Sequence, residues 1–182
     1  RLDERGNSAR GIKVCEQISA DYGLHVYHSV RATTATVIRM TYNGSQVQSK
    51  KLRRNSDLKY LQDHGHIIHV FRLQGDLMFG STEAVIKVVL DTLPDGNYFI
   101  LDLKHVFEID LAACQLLQKL KQTLWNQGKT LLFTHTKGKY GFVRHMKQAF
   151  KDKGDEMIFA FTDTEHALEY FEDKLLAPCH QE

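Results

Sequence analysis

His64, His66 and His69 crowd three imidazoles into a short stretch, the density of side chains that a metal ion needs. On a strand, however, His66 and His69 point to opposite faces, and no cysteine or carboxylate completes a ligand spacing. No metal is expected. The ten histidines and many carboxylates could also be combined into a Ser-His-Asp arrangement, but no Gly-x-Ser-x-Gly turn presents a nucleophile. No catalytic residue and no cofactor are expected within this chain. Thr134-His135-Thr136-Lys137-Gly138-Lys139-Tyr140-Gly141 joins an apolar run to the start of a helical pattern. Backbone amides at a helix amino terminus beside two ammonium groups could hold a phosphate. Thr136, Lys137, Gly138 and Lys139 are the candidate contacts for an anion or nucleotide. The Lys-Ser or Lys-Thr ending of a phosphate loop is missing, so an ordinary polar surface loop is the competing reading. Lys50, Lys51, Arg53 and Arg54 form a basic cluster that suits either an anionic partner or a solvated linker.

The element around which the rest of the chain is organised is Phe99 to Leu120. Phe99-Ile100-Leu101-Asp102-Leu103 is a short apolar run, as a strand buried on both faces would be. From Asp110 the period changes. Ala113, Leu116, Leu117, Leu120 and Leu124 recur at helical spacing, and Asp110 is a good N-cap. Lys104 to Ile109 therefore reads as a loop at the carboxyl end of a strand and the amino end of a helix, where open α/β sheets present functional surface. Phe107 in it is either exposed beside Glu108, Ala112 and Ala113, offering a partner a flat apolar spot, or folded onto the sheet edge.

Around this unit the chain reads in order as a helix over 8–22, strand-like runs at 24–30 and 34–42, and an Asn43-Gly44 turn. Residues 45–56 shift to Ser, Gln, Lys and Arg, as a linker does. A short helix over 57–63 follows. Ile67 to Leu73 predicts a strand, Gly75 a turn, and Leu77 to Phe79 a short returning strand. Helices are predicted over 81–93, 141–153 and 163–175, and strands over 130–134 and 157–161, with Thr162 and Glu165 as a capping box. Strands thus alternate with amphipathic helices in the order β-β-α-β-α-β-α-β-α. The expected class is α/β, a mainly parallel sheet with helices packed against it, preceded by a small helix and two strands.

At 182 residues and a formal charge of +2, the chain is long enough for one good core, and its charge does not argue for nucleic acid. Three scattered cysteines point to a reducing, cytoplasmic setting. No apolar run approaches the roughly 18 residues that span a bilayer. The opening Arg-Leu-Asp-Glu-Arg reads as the start of a piece cut from something longer.

Two stretches carry resemblances. Val70 to Phe79 followed by a helix, then Ile100 to Asp110, resembles the STAS domain of sulfate transporters and anti-sigma-factor antagonists, over about Ile67 to Leu176. The resemblance implies a protein-contact surface at Lys104, His105, Phe107, Glu108, Asp110, Ala112 and Ala113. In the regulatory members a Ser or Thr at the start of that helix is phosphorylated. Leu111, Ala112 and Ala113 stand there in this chain, so the resemblance does not extend to a phosphoswitch. Leu2 to Cys15, with Gly6-Asn7-Ser8 ahead of a helix, is similar to the carboxyl-terminal end of bacterial-type glutaminases. That implies a glutaminase remnant over 1–44, a basic linker over 45–56, a STAS domain over 57–177 and a tail over 178–182. The family's Ser-x-x-Lys nucleophile would then lie upstream of Arg1. The partners implied are proteins, namely the parent's own glutaminase domain, another STAS copy or a further regulator, with a homo-oligomer expected through the parent.

Overall fold

Residues 37–151 and 159–180 are described by the structure, a computed structural model of the chain. Five strands form one sheet in the order β1-β2-β3-β4-β5. They are β1 (Ile38–Asn43), β2 (Ile68–Leu77), β3 (Tyr98–Ile109), β4 (Thr130–Thr134) and β5 (Ala160–Phe161). β1 is antiparallel to β2, and the later strands add in parallel. The helices are α1 (Asn55–His64), α2 (Phe79–Asp91), α3 (Leu111–Asn126), α4 (Tyr140–Ala149) and α5 (Thr164–Leu176). The α/β class and mainly parallel sheet expected from the sequence are those observed.

Period-two alternation sends successive strand residues to two cores. Phe71, Leu73, Phe99, Leu101, Leu103, Leu131 and Phe133 face α2, α3 and α4 through Val85, Val89, Leu117, Leu120, Phe142 and Met146. Ile68, Val70, Ile100 and Leu132 face α5 through Ala167, Leu168 and Phe171. Because both faces are covered, these strands read as continuous apolar runs rather than alternating ones.

Several boundaries differ from the sequence reading. Gly75, at φ 76, is no turn. β2 runs through it to Leu77, and the β2–β3 register shifts on either side of it, the signature of bulges. A glycine at positive φ serves a bulge as well as a turn, which the sequence pattern does not separate. The returning strand at 77–79 is therefore absent; Phe79 already opens α2. The antiparallel neighbour of β2 is instead Ile38–Asn43, placed by sequence in the preceding 1–44 unit. Gly44 donates its N–H to the Ile68 carbonyl at 2.9 Å, and a side chain on Gly44 would meet the Gly65 oxygen at 2.8 Å. That close approach holds β1 to this domain. Asp163, not Thr162, caps α5, its carboxylate accepting from the His166 N–H at 2.9 Å. The helix expected over 8–22, the strand over 24–30 and the first residues of the 157–161 strand lie outside the described residues.

Lys121 on α3 is buried, and its ammonium donates to the Leu131 carbonyl at 2.7 Å. Burial pulls its pKa from 10.5 down to about 8. Between those values the unfolded chain holds more protons than the folded one, so stability should rise as pH increases through that window. The expected gain from this residue is on the order of 3 kcal/mol. Lys129 and Lys139 shift in the same direction, so the comparison with Lys121→Met isolates it. Urea unfolding of both proteins across the window should give a flatter pH profile for the variant.

Candidate functional site

Of the residues expected at the contact surface, Lys104, His105, Phe107 and Glu108 occupy the outer half of β3, and Asp110, Ala112 and Ala113 open α3. β4 ends at Thr134 opposite Asp102, whereas β2 continues to pair with β3 as far as Leu77 opposite Ile109. Lys104 to Ile109, read from sequence as a loop, is thus strand, because β2 runs alongside it to Leu77 and supplies its partners. Phe107 is 83% exposed, which decides between its two readings. Lys104 and Glu108 are exposed, His105 is half-buried and Val106 is buried. The Asp110 carboxylate accepts from the Ala113 N–H at 2.6 Å and so starts α3. Ala113 is fully buried beneath that turn and does not reach the surface expected of it; Ala112 is half-buried. Leu111 and Met78 are exposed at the same end of the sheet. Sequence reasoning missed both, although Leu111 stands off the apolar stripe of its helix.

The loop after β4 turns sharply. His135 lies at φ 56 and Gly138 at φ 86, and the Lys139 N–H donates to the Thr136 carbonyl at 3.0 Å. An open groove of about 890 Å³ is lined by Thr136, Lys137, Gly138, Tyr140, Arg144, Lys147 and Lys151. Tyr140, Arg144, Lys147 and Lys151 follow one another at helical spacing and form a single stripe. No acidic residue is in the lining. Lys139 is outside it; burial lowers its pKa, with the Asp102 carboxylate opposing. The sequence pattern pointed to the loop and overlooked the cationic stripe that follows it.

Asp102 is buried midway along β3, opposite the last residue of β4. The His135 Nδ1 lies 2.9 Å from its Oδ1 and the Arg72 Nε 3.5 Å from its Oδ2, and the Lys104 N–H donates to it at 2.9 Å. The cluster ties β2, β3 and the loop after β4 together. Thr134 and Thr164 hydroxyls beside it are hydrogen-bonded to each other at 3.0 Å. His64 bonds the Tyr60 carbonyl, His66 bonds the Asp63 carbonyl, and His69 stacks between Phe71 and Phe99. Among the described residues no group of three or more His, Cys, Asp or Glu could hold a metal ion. No helix among them is long and apolar enough to cross a membrane.

The basic cluster before α1 does meet anions, and they belong to α5. Lys51 pairs with Glu169 at 2.9 Å and Asp173 at 2.8 Å. Arg53 pairs with Glu172 at 3.0 Å and Asp173 at 2.7 Å. Ser49 donates its N–H and hydroxyl to Glu172, and the Lys50 N–H donates to Glu165. Residues 49–53, expected to be a solvated linker, form a strap on α5, because opposite charges more than a hundred positions apart meet only in the fold. Burial raises the Asp173 carboxyl, but its bonds to Lys51 and Arg53 outweigh that and hold it below its ordinary value.

A five-stranded mixed sheet with helices on both faces and a capped helix after the long β3 make a STAS-like α/β fold. Residues 60–149 match the STAS domain family model. The fold agrees with the structure described as "The overall structure of SLC26A9", at a TM-score of 0.52 and 20% identity, over 82% of this chain and 26% of that one. The sequence relatives are glutaminases, matched in their carboxyl-terminal region. Glutaminase 2 of Bradyrhizobium diazoefficiens is 26% identical over 195 residues, covering 97% of this chain and 31% of its own length. Glutaminase 1 of the same organism is 26% identical over 179 residues, covering 97% and 28%. The chain therefore spans less than a third of the length of these relatives.

The side chains of Arg53 and Glu172 are 6% and 1% exposed. Removing one partner strands the other's charge out of water. Glu172→Ala should lower stability by about 3 kcal/mol, whereas Lys51→Ala, in an exposed pair, should change it by under about 1 kcal/mol. Urea unfolding midpoints of the two variants check the contrast.

Proposed function

We propose that this chain is the non-catalytic interaction and regulatory module of a bacterial, cytoplasmic glutaminase, whose upstream domain converts L-glutamine and water to L-glutamate and ammonia. The observation that carries this reading is that glutaminase similarity covers 97% of the chain while taking up less than a third of each relative. The module contacts a protein through Lys104, His105, Phe107 and Glu108 on β3 and through Leu111 and Ala112 at the start of α3. Its effect is on assembly or on coupling of turnover to a signal. With Leu, Ala and Ala at 111–113, the contact is not gated by phosphorylation of that turn, since none of the three has a hydroxyl to modify. The strap on α5 supports the coupling, because it gives the chain entering the domain a fixed path across the helix.

A second reading is favoured by the groove at α4. Lys137, Arg144, Lys147 and Lys151, with exposed Tyr140 beside them, suit an anion or nucleotide, and the domain would then act as a ligand sensor. Binding only to the folded state must raise the melting temperature. Inorganic phosphate, ATP and GTP should each be screened by thermal shift, with Arg144→Glu/Lys147→Glu as the control that loses any rise.

For the leading reading, Phe107→Glu should leave circular dichroism unchanged and reduce the solution mass or partner retention of the native-length protein by light scattering. An unchanged mass counts against it. Glutamine hydrolysis by the native-length gene product tests the parent activity, and its absence removes the glutaminase assignment.

A further inference from the structure

We propose that two copies of this chain associate by pairing the outer half of β3 antiparallel about a twofold axis at Val106, with Lys104 of each copy opposite Glu108 of the other. The inference rests on the reading of this end of the sheet as the partner surface, and adds who the partner is and in which register it binds. Beyond Asp102, β3 has β2 on one side and, among the described residues, no strand on the other, because β4 stops at Thr134. A strand flank of this kind is a template for another strand. Proteins commonly protect such flanks with charges that repel an approaching copy. Here the segment Lys104-His105-Val106-Phe107-Glu108 inverts its charge when read backwards. In an antiparallel pair centred on residue 106, position 104 faces 108, 105 faces 107, and 106 faces itself. The register creates two Lys–Glu pairs and two His–Phe pairs directly across the interface, the kinds of cross-strand neighbours that stabilise a sheet. A slip of one residue loses both ion pairs, and a parallel pairing sets lysine against lysine.

The side chains are available for this role. Lys104 and Glu108 are exposed and make no ion pair with another described residue. Phe107 is 83% exposed, Leu111 65% and Met78 39%, so the same end of the sheet offers apolar area for a second copy to cover. A partner of different sequence would need its own complement to this charge order; a second copy supplies it by symmetry.

The test is charge reversal with reciprocal rescue, read by sedimentation velocity on the 182-residue chain. The wild type should show a species of twice 21.0 kDa. Lys104→Glu and Glu108→Lys each set like charges opposite one another twice, and each should raise the dimer dissociation constant at least about tenfold. The double reversal restores both pairs and should return it to within about threefold of wild type. Circular dichroism of all three reports that the fold is kept. A wild type that stays monomeric, single reversals that dimerise like wild type, or a folded double reversal that does not recover overturns the proposal. If Phe107→Glu reduces association while the charge reversals do not, the surface stands and this register falls. If neither changes the mass, both readings fall.

Discussion

The pairing of β2 with β3 is the interaction on which the rest of the molecule depends. It runs from Ile68 opposite Tyr98 to Leu77 opposite Ile109, the longest register in the sheet. Its first half is sandwiched between the two helical layers and carries the largest apolar side chains into both cores. Its second half leaves the sheet behind, since β1 and β4 are too short to follow. One continuous ribbon thus provides both the rigid centre and the projecting surface. The bulges around Gly75 mark the change from one to the other, where extra residues must be accommodated without breaking the pairing.

At that junction sits a buried carboxylate. Asp102 stands where β4 leaves β3; the Lys104 amide donates to it, and the Arg72 guanidinium from β2 and the His135 ring after β4 lie against it. The cluster has the appearance of a dyad awaiting a nucleophile. Its chemistry is better described as structural, because the hydroxyls beside it are bound to each other and it brings three segments together where β4 ends. The strap follows the same logic on the other face. Glu172 is buried and accepts from Ser49 and Arg53, so its charge is matched by groups brought from more than a hundred residues away.

These two charge clusters divide the surface by function. The α5 face carries the chain's own strap, which buries Glu172 and pairs Glu169 and Asp173 with Lys51 and Arg53. The ribbon end, with Phe107, Leu111 and Met78, and the α4 groove, with its cations, are left open. An apolar, charge-alternating strand flank and a one-sign cationic stripe call for different partners, the first another strand and the second an anion. A module carrying both could assemble and sense at once without any catalytic group of its own.

Much of this was legible in the sequence. The apolar runs at 99–103 and 130–134, the stripe from Ala113 to Leu124 and the Asp110 cap declared themselves, because a strand buried on both faces and a helix buried on one leave periodic marks that depend only on neighbouring residues. The partner of a strand leaves no such mark. Gly75 at positive φ suits a turn or a bulge equally, so only the sheet showed that β2 continues and that Ile38–Asn43 takes the place beside it. Ala113 was assigned to the surface by its place beside Asp110 and Phe107, yet the helix axis turns it inward. Lys51 and Arg53 looked solvated because their anions lie on the last helix. Local periodicity and capping were set by the sequence itself; register, exposure and long-range ion pairs were decided by tertiary structure, since they depend on which distant segments the two cores bring together.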